Sequence, residues 1–245
     1  MLQHPGIDRW IAGIRRRDPT LSSDEVRALC GIFSEFIDVD ADEDIVREHD
    51  RMNRSHLLLE GWAFRYISLK SGRRQIVAIH IPGDFVDLHS FPLQVMDHSV
   101  ATFTPCRIAT APHERLRAVT EEHPHLARLF WLSTLIDGAV HRQWLLGAGQ
   151  RSALGQTAHL ICELYVRLEA NGLAQAFTFA MPMSQAEFAD ALGMSSVHAN
   201  RVVQELRGES VLAWQGRSVS ILDWDRLRQI AEFDPVYLNL FSSPR

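Results

Sequence analysis

The stretch that decides the fold runs from Met183 to Leu222 and reads MSQAEFADALGMSSVHANRVVQELRGESVLAWQGRSVSIL. Ser184–Glu187 has the pattern of a capping box, in which a serine and a glutamate three residues later close the first turn of a helix. Gly193 follows where a tight turn requires a positive φ, and Ser195 is suited to cap a second helix. Ala189 is small where the two helices must cross closely. The pattern predicts a helix-turn-helix.

A β-hairpin is predicted directly after the second helix, which extends to about Arg207. Val211–Trp214 and Ser218–Leu222 are strand-like, and they flank the turn-forming segment Gln215–Arg217. A helix-turn-helix followed by such a wing is typical of modules that read DNA. The alternative is a helical hairpin that only packs within the protein.

The outer face of the second helix carries side chains that are suited to base recognition. Arg201 can pair bidentately with guanine, Asn200 with adenine, and Val197 can contact a thymine methyl group. Backbone N–H groups at Ser195 and Ser196, at the start of the helix, are placed to hold a phosphate. With basic side chains on the wing and near a hinge, the predicted DNA-contacting residues are Ser195, Ser196, Val197, His198, Asn200, Arg201, Arg217 and Arg151.

The first half of the chain is predicted to be rich in short strands. A helix is expected over residues 21–37, where apolar residues recur at helical spacing. From His56 to Ala111 the character of the sequence changes: Trp62, Phe64 and Tyr66 alternate with the residues between them, which is strand periodicity. Turn signals such as Ser71-Gly72 interrupt the segment. Strands are expected around residues 62–67, 75–80, 100–103 and 107–110. Short strands at this spacing indicate a β-roll or barrel.

A long helix is predicted from His123-Pro124 to Leu146, and Gly147-Ala148-Gly149 after it is expected to be a flexible break. A further helix is expected over residues 153–169. The three-four spacing of the long helix resembles a coiled-coil seam and predicts a dimer interface, with packing on its own domain as the alternative. The predicted seam residues are Leu126, Leu129, Ser133, Ile136, Val140 and Trp144.

The chain is therefore expected to have an α+β fold in three parts. Residues 1–121 form an N-terminal segment and a sensor roll, residues 122–148 the dimerisation helix and hinge, and residues 149–245 the DNA-binding domain with a C-terminal tail. The net charge of −5 argues against binding nucleic acid by bulk charge alone. Since the sequence has neither a signal-peptide pattern nor an apolar run long enough for a bilayer, we expect a cytoplasmic protein without a membrane partner.

The chain resembles the Crp/Fnr regulators, the group of the cyclic-AMP receptor protein. The resemblance covers roughly residues 20–225 and rests on Glu60-Gly61, Ser71–Gln75, Pro82–Phe85 and the segment from Met183 to Arg201. It implies a cyclic-nucleotide-binding-type β-roll (a jelly-roll), a long dimerisation helix and a C-terminal winged helix-turn-helix. It also implies a homodimer on a palindromic operator, contact with RNA polymerase, and an effector that binds the roll.

Two departures argue against cyclic AMP as that effector. Where nucleotide-binding relatives carry Gly-Glu for the ribose, this chain has Val86–His89, and where they carry an arginine for the cyclic phosphate, it has Asp97–Ser99. A neutral histidine cannot replace a guanidinium fork. The degenerate effector pocket is assigned to Asp84, Asp87, His98 and Ser99, and the effector remains unknown. The alternative is that Arg65, Arg73 or Arg74 supplies the missing charge.

Other chemistry is not expected. The closest pair of histidines, His123 and His125, lies two residues apart and would chelate poorly on a helix, so no metal site is predicted. Cys30, Cys106 and Cys162 are widely spaced, which argues against an iron–sulfur cluster and favours structural thiols, a redox role for Cys106 being the alternative. Phosphate-loop, hydrolase and zinc-helix motifs are absent, so we expect no enzyme. The competing functional hypothesis is a sensor or adaptor that acts through protein contacts.

Overall fold

The computed structural model describes residues 3–93 and 95–244. They divide into two compact units. The first contains the described parts of residues 1–67, 78–138 and 240–245, and the second contains residues 68–77 and 139–239. None of the described helices combines the length and the apolar character that a bilayer crossing needs.

The first unit begins with two helices, α1 (Pro5–Arg17) and α2 (Ser23–Gly31). The predicted helix over residues 21–37 is correct only in its first half, because α2 ends at Gly31 and a strand, β1 (Glu35–Val39), follows. The reason is tertiary. Residues of β1 pair antiparallel with a strand some seventy positions later in the chain, and this pairing overrides the local helical spacing.

The first seven strands of the chain form two antiparallel sheets. After β1 come β2 (Asp44–Val46), β3 (Arg54–Glu60), β4 (Ala63–Ser68), β5 (Arg74–His80), the short helix α3 (Ser90–Leu93), β6 (Ser99–Thr102), β7 (Cys106–Pro112) and the helix α4 (His113–Glu122). The strand orders are β1-β7-β3 and β2-β6-β4-β5. The predicted β-rich segment and its four strands are confirmed, whereas β2, β3, α3 and α4 were not predicted.

A tight corner between β3 and β4 explains why Gly61 stands there. Its φ of 86° lies in the left-handed region, and a Cβ on it would come within 2.4 Å of the carbonyl oxygen of Pro105 and 2.7 Å of Cys106 Sγ. A side chain at this position would therefore collide with backbone, so the corner requires glycine.

The helix α5 (Pro124–Gln150) is continuous through Gly147-Ala148-Gly149, so the predicted flexible break at these residues is wrong. The chain instead leaves the helix at Arg151, and Ser152 caps the next helix by accepting from Gly155 N at 3.1 Å. The guanidinium of Arg151 donates to the carbonyl oxygen and the side-chain oxygen of Gln143, at 3.0 and 2.8 Å. These bonds join residues on either side of Gly147 and Gly149 and so brace the last turns of the helix.

Burial within the chain differs among the predicted seam residues of α5. Leu126, Leu129 and Val140 are buried within their own chain, and Leu126 and Leu129 belong to the core of the first unit. Ser133 is exposed, and Ile136 and Trp144 are half-buried. The large apolar side chains that α5 leaves exposed are instead Trp131, Leu135, Leu145 and Leu146.

The second unit continues from α5 into α6 (Ala153–Ala170), β8 (Ala174–Gln175), β9 (Thr178–Ala180), α7 (Gln185–Leu192), α8 (Ser196–Gly208), β10 (Leu212–Gln215), β11 (Ser218–Ile221), α9 (Trp224–Ala231) and a 3-10 turn (Pro235–Leu238). The four strands form one antiparallel sheet in the order β10-β11-β9-β8. The predicted helix over residues 153–169 and the hairpin wing are confirmed.

A buried carboxylate ties three parts of this unit together. Glu163 on α6 is fully buried and accepts from Trp144 Nε1, Arg167 and the hydroxyl of Tyr237, the last at 2.8 Å. Burial raises the pKa of Glu163, and Arg167 opposes that rise. Because an unpaired charge there would be costly, these donors fix the C-terminal part of α5 against α6.

In the first unit, His125 on α5 lies between two carboxylates. Its Nε2 is 3.0 Å from Asp18, which follows α1, and its Nδ1 is 2.7 Å from Glu25, in the first turn of α2. Burial alone would lower the pKa of His125, but the two carboxylates outweigh it and raise that pKa above its ordinary value. The folded state therefore binds the proton more tightly than the unfolded chain does.

This arrangement predicts a pH-dependent contribution to stability. A raised folded-state pKa gives stability that is fully present below the unfolded value of about 6.5 and is lost as pH rises through the folded value. We expect His125→Gln to lower the free energy of unfolding by on the order of 2 kcal/mol at pH 5.5 and by clearly less at pH 9. Urea unfolding at both pH values measures this. The exposed-histidine variant His49→Asn is the control, and an equal loss for His125→Gln at both pH values would refute the prediction.

Candidate nucleic-acid interface and sensor site

The helix-turn-helix has the local geometry that its sequence predicts. Ser184 Oγ accepts from Glu187 N at 3.2 Å, and the Glu187 carboxylate accepts from Ser184 N at 2.6 Å, so the capping box is closed. Gly193 ends α7 with a φ of 64°, in the left-handed region. Ser195 Oγ then accepts from His198 N at 3.2 Å and caps α8. The turn is therefore fixed by its own residues.

The two faces of α8 have opposite character. Ala199, Val202 and Leu206 are buried on its inner face, and they pack in the unit that also contains Phe188 and Ala189 of α7. The predicted base-reading residues lie on the other face. Val197 is 82% exposed, Ser195, Ser196, Asn200 and Arg201 are exposed, and His198 is half-buried. Exposed side chains at a helix start are what major-groove reading requires.

The wing stands on a tight turn beside α7. Gly216 has a φ of 58°, and Trp214 Nε1 donates to its carbonyl oxygen at 3.2 Å. The indole of Trp214 also meets Phe188 of α7 edge-on, with 5.0 Å between ring centroids. These contacts hold Arg217 exposed at the turn, and neither Arg217 nor Arg201 makes an ion pair with another described residue.

Arg151, predicted as a phosphate contact, forms hydrogen bonds within the protein. Its guanidinium is held by Gln143 at the end of α5, as described above, and the residue is half-buried. A guanidinium that donates to two oxygens of Gln143 would have to give up these bonds to follow a phosphate backbone. The proposed DNA face therefore does not include Arg151.

In the roll, the residue that fills the effector region is Arg65, on β4. It is 4% exposed, and its guanidinium donates to Asp137 on α5 at 2.8 Å and to the carbonyl oxygen of Val86 at 3.1 Å. Of the three alternative arginines, Arg65 is thus the one that lies in this region, whereas Arg74 pairs with Asp190. A buried guanidinium requires such partners.

The four predicted pocket residues have distinct roles. Asp87 is fully buried, and its carboxylate accepts from the backbone N–H of His56 at 2.6 Å and lies 2.8 Å from His56 Nδ1. Asp84 caps its own turn by accepting from Ile81 N. Ser99 Oγ accepts from the backbone N–H of Glu48. His98 contacts a second histidine, His89.

His98 and His89 meet through their ring nitrogens. The two Nε2 atoms lie 3.2 Å apart, and His98 Nδ1 is 2.6 Å from a carboxylate oxygen of Asp97. Burial, followed by the nearby charge of Arg65, lowers the pKa of His98 to about 4 and also lowers the pKa of His89. Both imidazoles are therefore neutral near pH 7. The sequence alone does not indicate His89 and Asp137 as residues of this site, since only the folded chain brings them to this region.

The cysteines have the environment of structural thiols. Cys106 Sγ lies 3.4 Å from the carbonyl oxygen of Trp62, and burial raises the pKa of this thiol to about 11. Burial also raises the pKa values of Cys30 and Cys162. A raised pKa suppresses the reactive thiolate, which favours the structural interpretation over a redox role for Cys106.

The fold and the exposed face of α8 define a class: a winged helix-turn-helix DNA-binding protein with a strand-rich roll. Each half of the chain also matches a known family of domains. Residues 155–230 match the Crp-like helix-turn-helix domain, and residues 36–123 match the cyclic nucleotide-binding domain. The chain belongs to the Crp/Fnr-type regulators and is a DNA-binding regulator of transcription.

Relatives cover most of the chain. It is 28% identical over 199 residues to the transcriptional activator protein FnrL of Cereibacter sphaeroides, covering 79% of each chain. It is 29% identical over 195 residues to the nitrogen fixation regulation protein FixK of Bradyrhizobium diazoefficiens, covering 77% of this chain and 78% of that protein. The structure of FixK2 from Bradyrhizobium japonicum shares the fold, with a TM-score of 0.74, 24% identity, and coverage of 80% of this chain and 96% of that one.

The two exposed arginines of the DNA face, Arg201 and Arg217, are predicted to have different roles. Replacing Arg201 by alanine is expected to cost about 1–3 kcal/mol of operator affinity and to relax preference at one base position, because a bidentate base contact is lost. Replacing Arg217 by alanine is expected to weaken binding to all DNA sequences about equally, because a phosphate contact is lost. The salt dependence of DNA affinity is expected to become less steep for the same reason. Binding titrations on an operator library at several salt concentrations measure both. Arg117→Ala, which removes an exposed arginine of α4 outside the DNA face, is the control. Sequence-independent losses of equal size from Arg201→Ala and Arg217→Ala would contradict the assignment.

Proposed function

We propose that this protein is a homodimeric regulator that reads a palindromic operator with α8, contacts RNA polymerase, and does not respond to cyclic AMP. The observation that carries the DNA-reading part is the pairing of a capped, rigid turn with an exposed helix face. Asn200 and Arg201 are exposed there without competing ion pairs, and the wing holds a second exposed arginine, Arg217. The names of the two relatives above, both regulators and one an activator, support activation of transcription through polymerase contact.

The dimer is proposed to form through α5. A single α8 reads only one half-site, and a symmetric operator is matched by a two-fold protein dimer. The exposed apolar side chains of α5 supply the surface for a second copy: Trp131 is 65% exposed, Leu135 53% and Leu145 75%. Exposed side chains of this size on one long helix are costly in water and favour burial against the partner.

This face can be tested against the seam that the sequence alone predicted. Two residues advance a helix by about 200°, so Ser133 and Leu135 lie on opposite sides of α5. We expect Leu135→Glu to give monomers in analytical ultracentrifugation and to reduce operator affinity at least tenfold. Ser133→Glu, a matched control that also introduces a single carboxylate at an exposed position, is expected to leave the dimer intact. The opposite pattern would return the interface to the seam through Ser133, Ile136 and Val140.

The charges in the roll argue against the binding of cyclic AMP. A buried cyclic phosphate needs a cation with free donors. The buried cation in this region, Arg65, already donates to Asp137 and to Val86 O, and a phosphate would have to displace a carboxylate. The histidine at the phosphate position, His98, is neutral near pH 7 because burial lowers its pKa to about 4. The buried Asp87 adds negative charge close by.

Calorimetry on the full-length, ligand-free protein tests this conclusion. Loss of a buried charged partner typically costs about 2–5 kcal/mol, which turns micromolar binding into millimolar binding. We expect no heat of cyclic AMP binding at 100 μM nucleotide, and operator affinity that cyclic AMP leaves unchanged within twofold. A dissociation constant below about 10 μM, together with cyclic-AMP-dependent operator binding, would overturn it.

A further inference from the structure

The contact between His89 and His98 has the geometry of a metal site. Zinc binds imidazole nitrogens at about 2.0–2.1 Å, so two nitrogens 3.2 Å apart subtend an angle of about 100° at a shared ion. This angle is close to the tetrahedral value. Together with a carboxylate oxygen of Asp97, the ligand atoms all lie within 4.8 Å of one another.

We propose that the roll binds a divalent transition-metal ion through His89 Nε2 and His98 Nε2, with Asp97 as a positioning residue and with water completing the coordination. Imidazole nitrogens select the zinc, cobalt, nickel and copper group over magnesium and calcium, which prefer oxygen. The site lies in the two segments where related nucleotide binders hold their ligand. It thus extends the proposed function by giving the sensor roll an ion in place of a nucleotide.

Asp97 sets the tautomer that the site needs. Its carboxylate accepts a hydrogen bond from the N–H at His98 Nδ1, over 2.6 Å. The lone pair of the His98 ring is then on Nε2, which faces His89. Ligating histidines in proteins typically have such a carboxylate or carbonyl on their second nitrogen. In the ion-free protein, His89 Nε2–H can donate to that lone pair; ion binding requires only that His89 carry its proton on Nδ1 instead.

The surrounding charges favour a cation. The charged groups that act on His89 and His98 are the carboxylates of Asp87, Asp97 and Asp137 and the guanidinium of Arg65. Three negative charges against one positive charge leave a formal excess of two negative charges, which a divalent ion offsets. Arg65 does not repel the ion with its full charge, because Asp137 pairs with it at 2.8 Å.

Accessibility also suits reversible binding. His98 is buried, whereas His89 is half-buried and the Asp97 side chain is 76% exposed. The ion would therefore reach the site from the Asp97 side and keep exchangeable water ligands. An open site with two protein nitrogens suits an ion that is sensed, since structural zinc sites use four protein ligands.

The experiment uses the full-length protein without an affinity tag, stripped with chelator and titrated with Zn²⁺ in a competition assay against a chromophoric chelator. We expect one Zn²⁺ per chain with a dissociation constant of 1 μM or tighter. His89→Gln and His98→Gln are each expected to weaken binding at least a hundredfold, and Asp97→Asn about 10–100-fold without changing the stoichiometry. The control, His49→Asn, removes an exposed histidine of the same unit and is expected to leave binding unchanged.

X-ray absorption of the zinc-loaded wild type keeps the proposal testable if a variant fails to fold, because it counts imidazole ligands directly. Two imidazole nitrogens are expected. Absence of one-to-one binding, undiminished binding by His89→Gln and His98→Gln, or a spectrum with no imidazole would each overturn the site. Operator binding is recorded separately on the stripped and loaded protein. Loss of DNA binding in both states would contradict the proposed function and leave the metal result standing.

Discussion

The first unit depends on one constraint: the guanidinium of Arg65 lies out of water and must be paired. Leaving such a charge unpaired would cost several kcal/mol, so its partners are fixed by necessity. Asp137 brings α5 to β4, and the carbonyl oxygen of Val86 brings the loop before α3 to the same point. A single cation thus joins a strand, a loop and the long helix. It also occupies the region in which an anionic ligand would otherwise find its counter-charge.

Elements that are specified by neighbouring residues could be predicted from the sequence. The turn between α7 and α8 is an example, because Ser184, Gly193 and Ser195 determine it through caps and one left-handed residue. The errors lie where distant contacts decide. β1 was predicted as helix, since nothing near residue 35 indicates its partner Thr110. The helix α5 runs through Gly147–Gly149, where Arg151 folds back to bond Gln143, and a glycine pair alone carries no such information.

The sensor site was predictable only in part for the same reason. Resemblance to nucleotide binders indicated His98 and Asp87 as residues of the effector region. It also showed that this chain lacks the arginine with which those proteins bind the cyclic phosphate. It could not indicate that Arg65 is the arginine that lies near these residues, because three arginines of the β4–β5 hairpin were equally available in the sequence. Nor could it join His89 to His98, since their ring contact depends on how the loop before α3 folds against the start of β6.

Arginine therefore serves two opposite purposes in this chain. Arg65 and Arg151 are held by partners and build structure, whereas Arg201 and Arg217 remain exposed and available to DNA. With a net charge of −5 and few free cations on each reading face, one protomer has little non-specific attraction for a polyanion. Tight operator binding then requires two faces at once, because linking them makes the second contact intramolecular. The exposed apolar face of α5 is for this reason part of DNA recognition, although it touches no base.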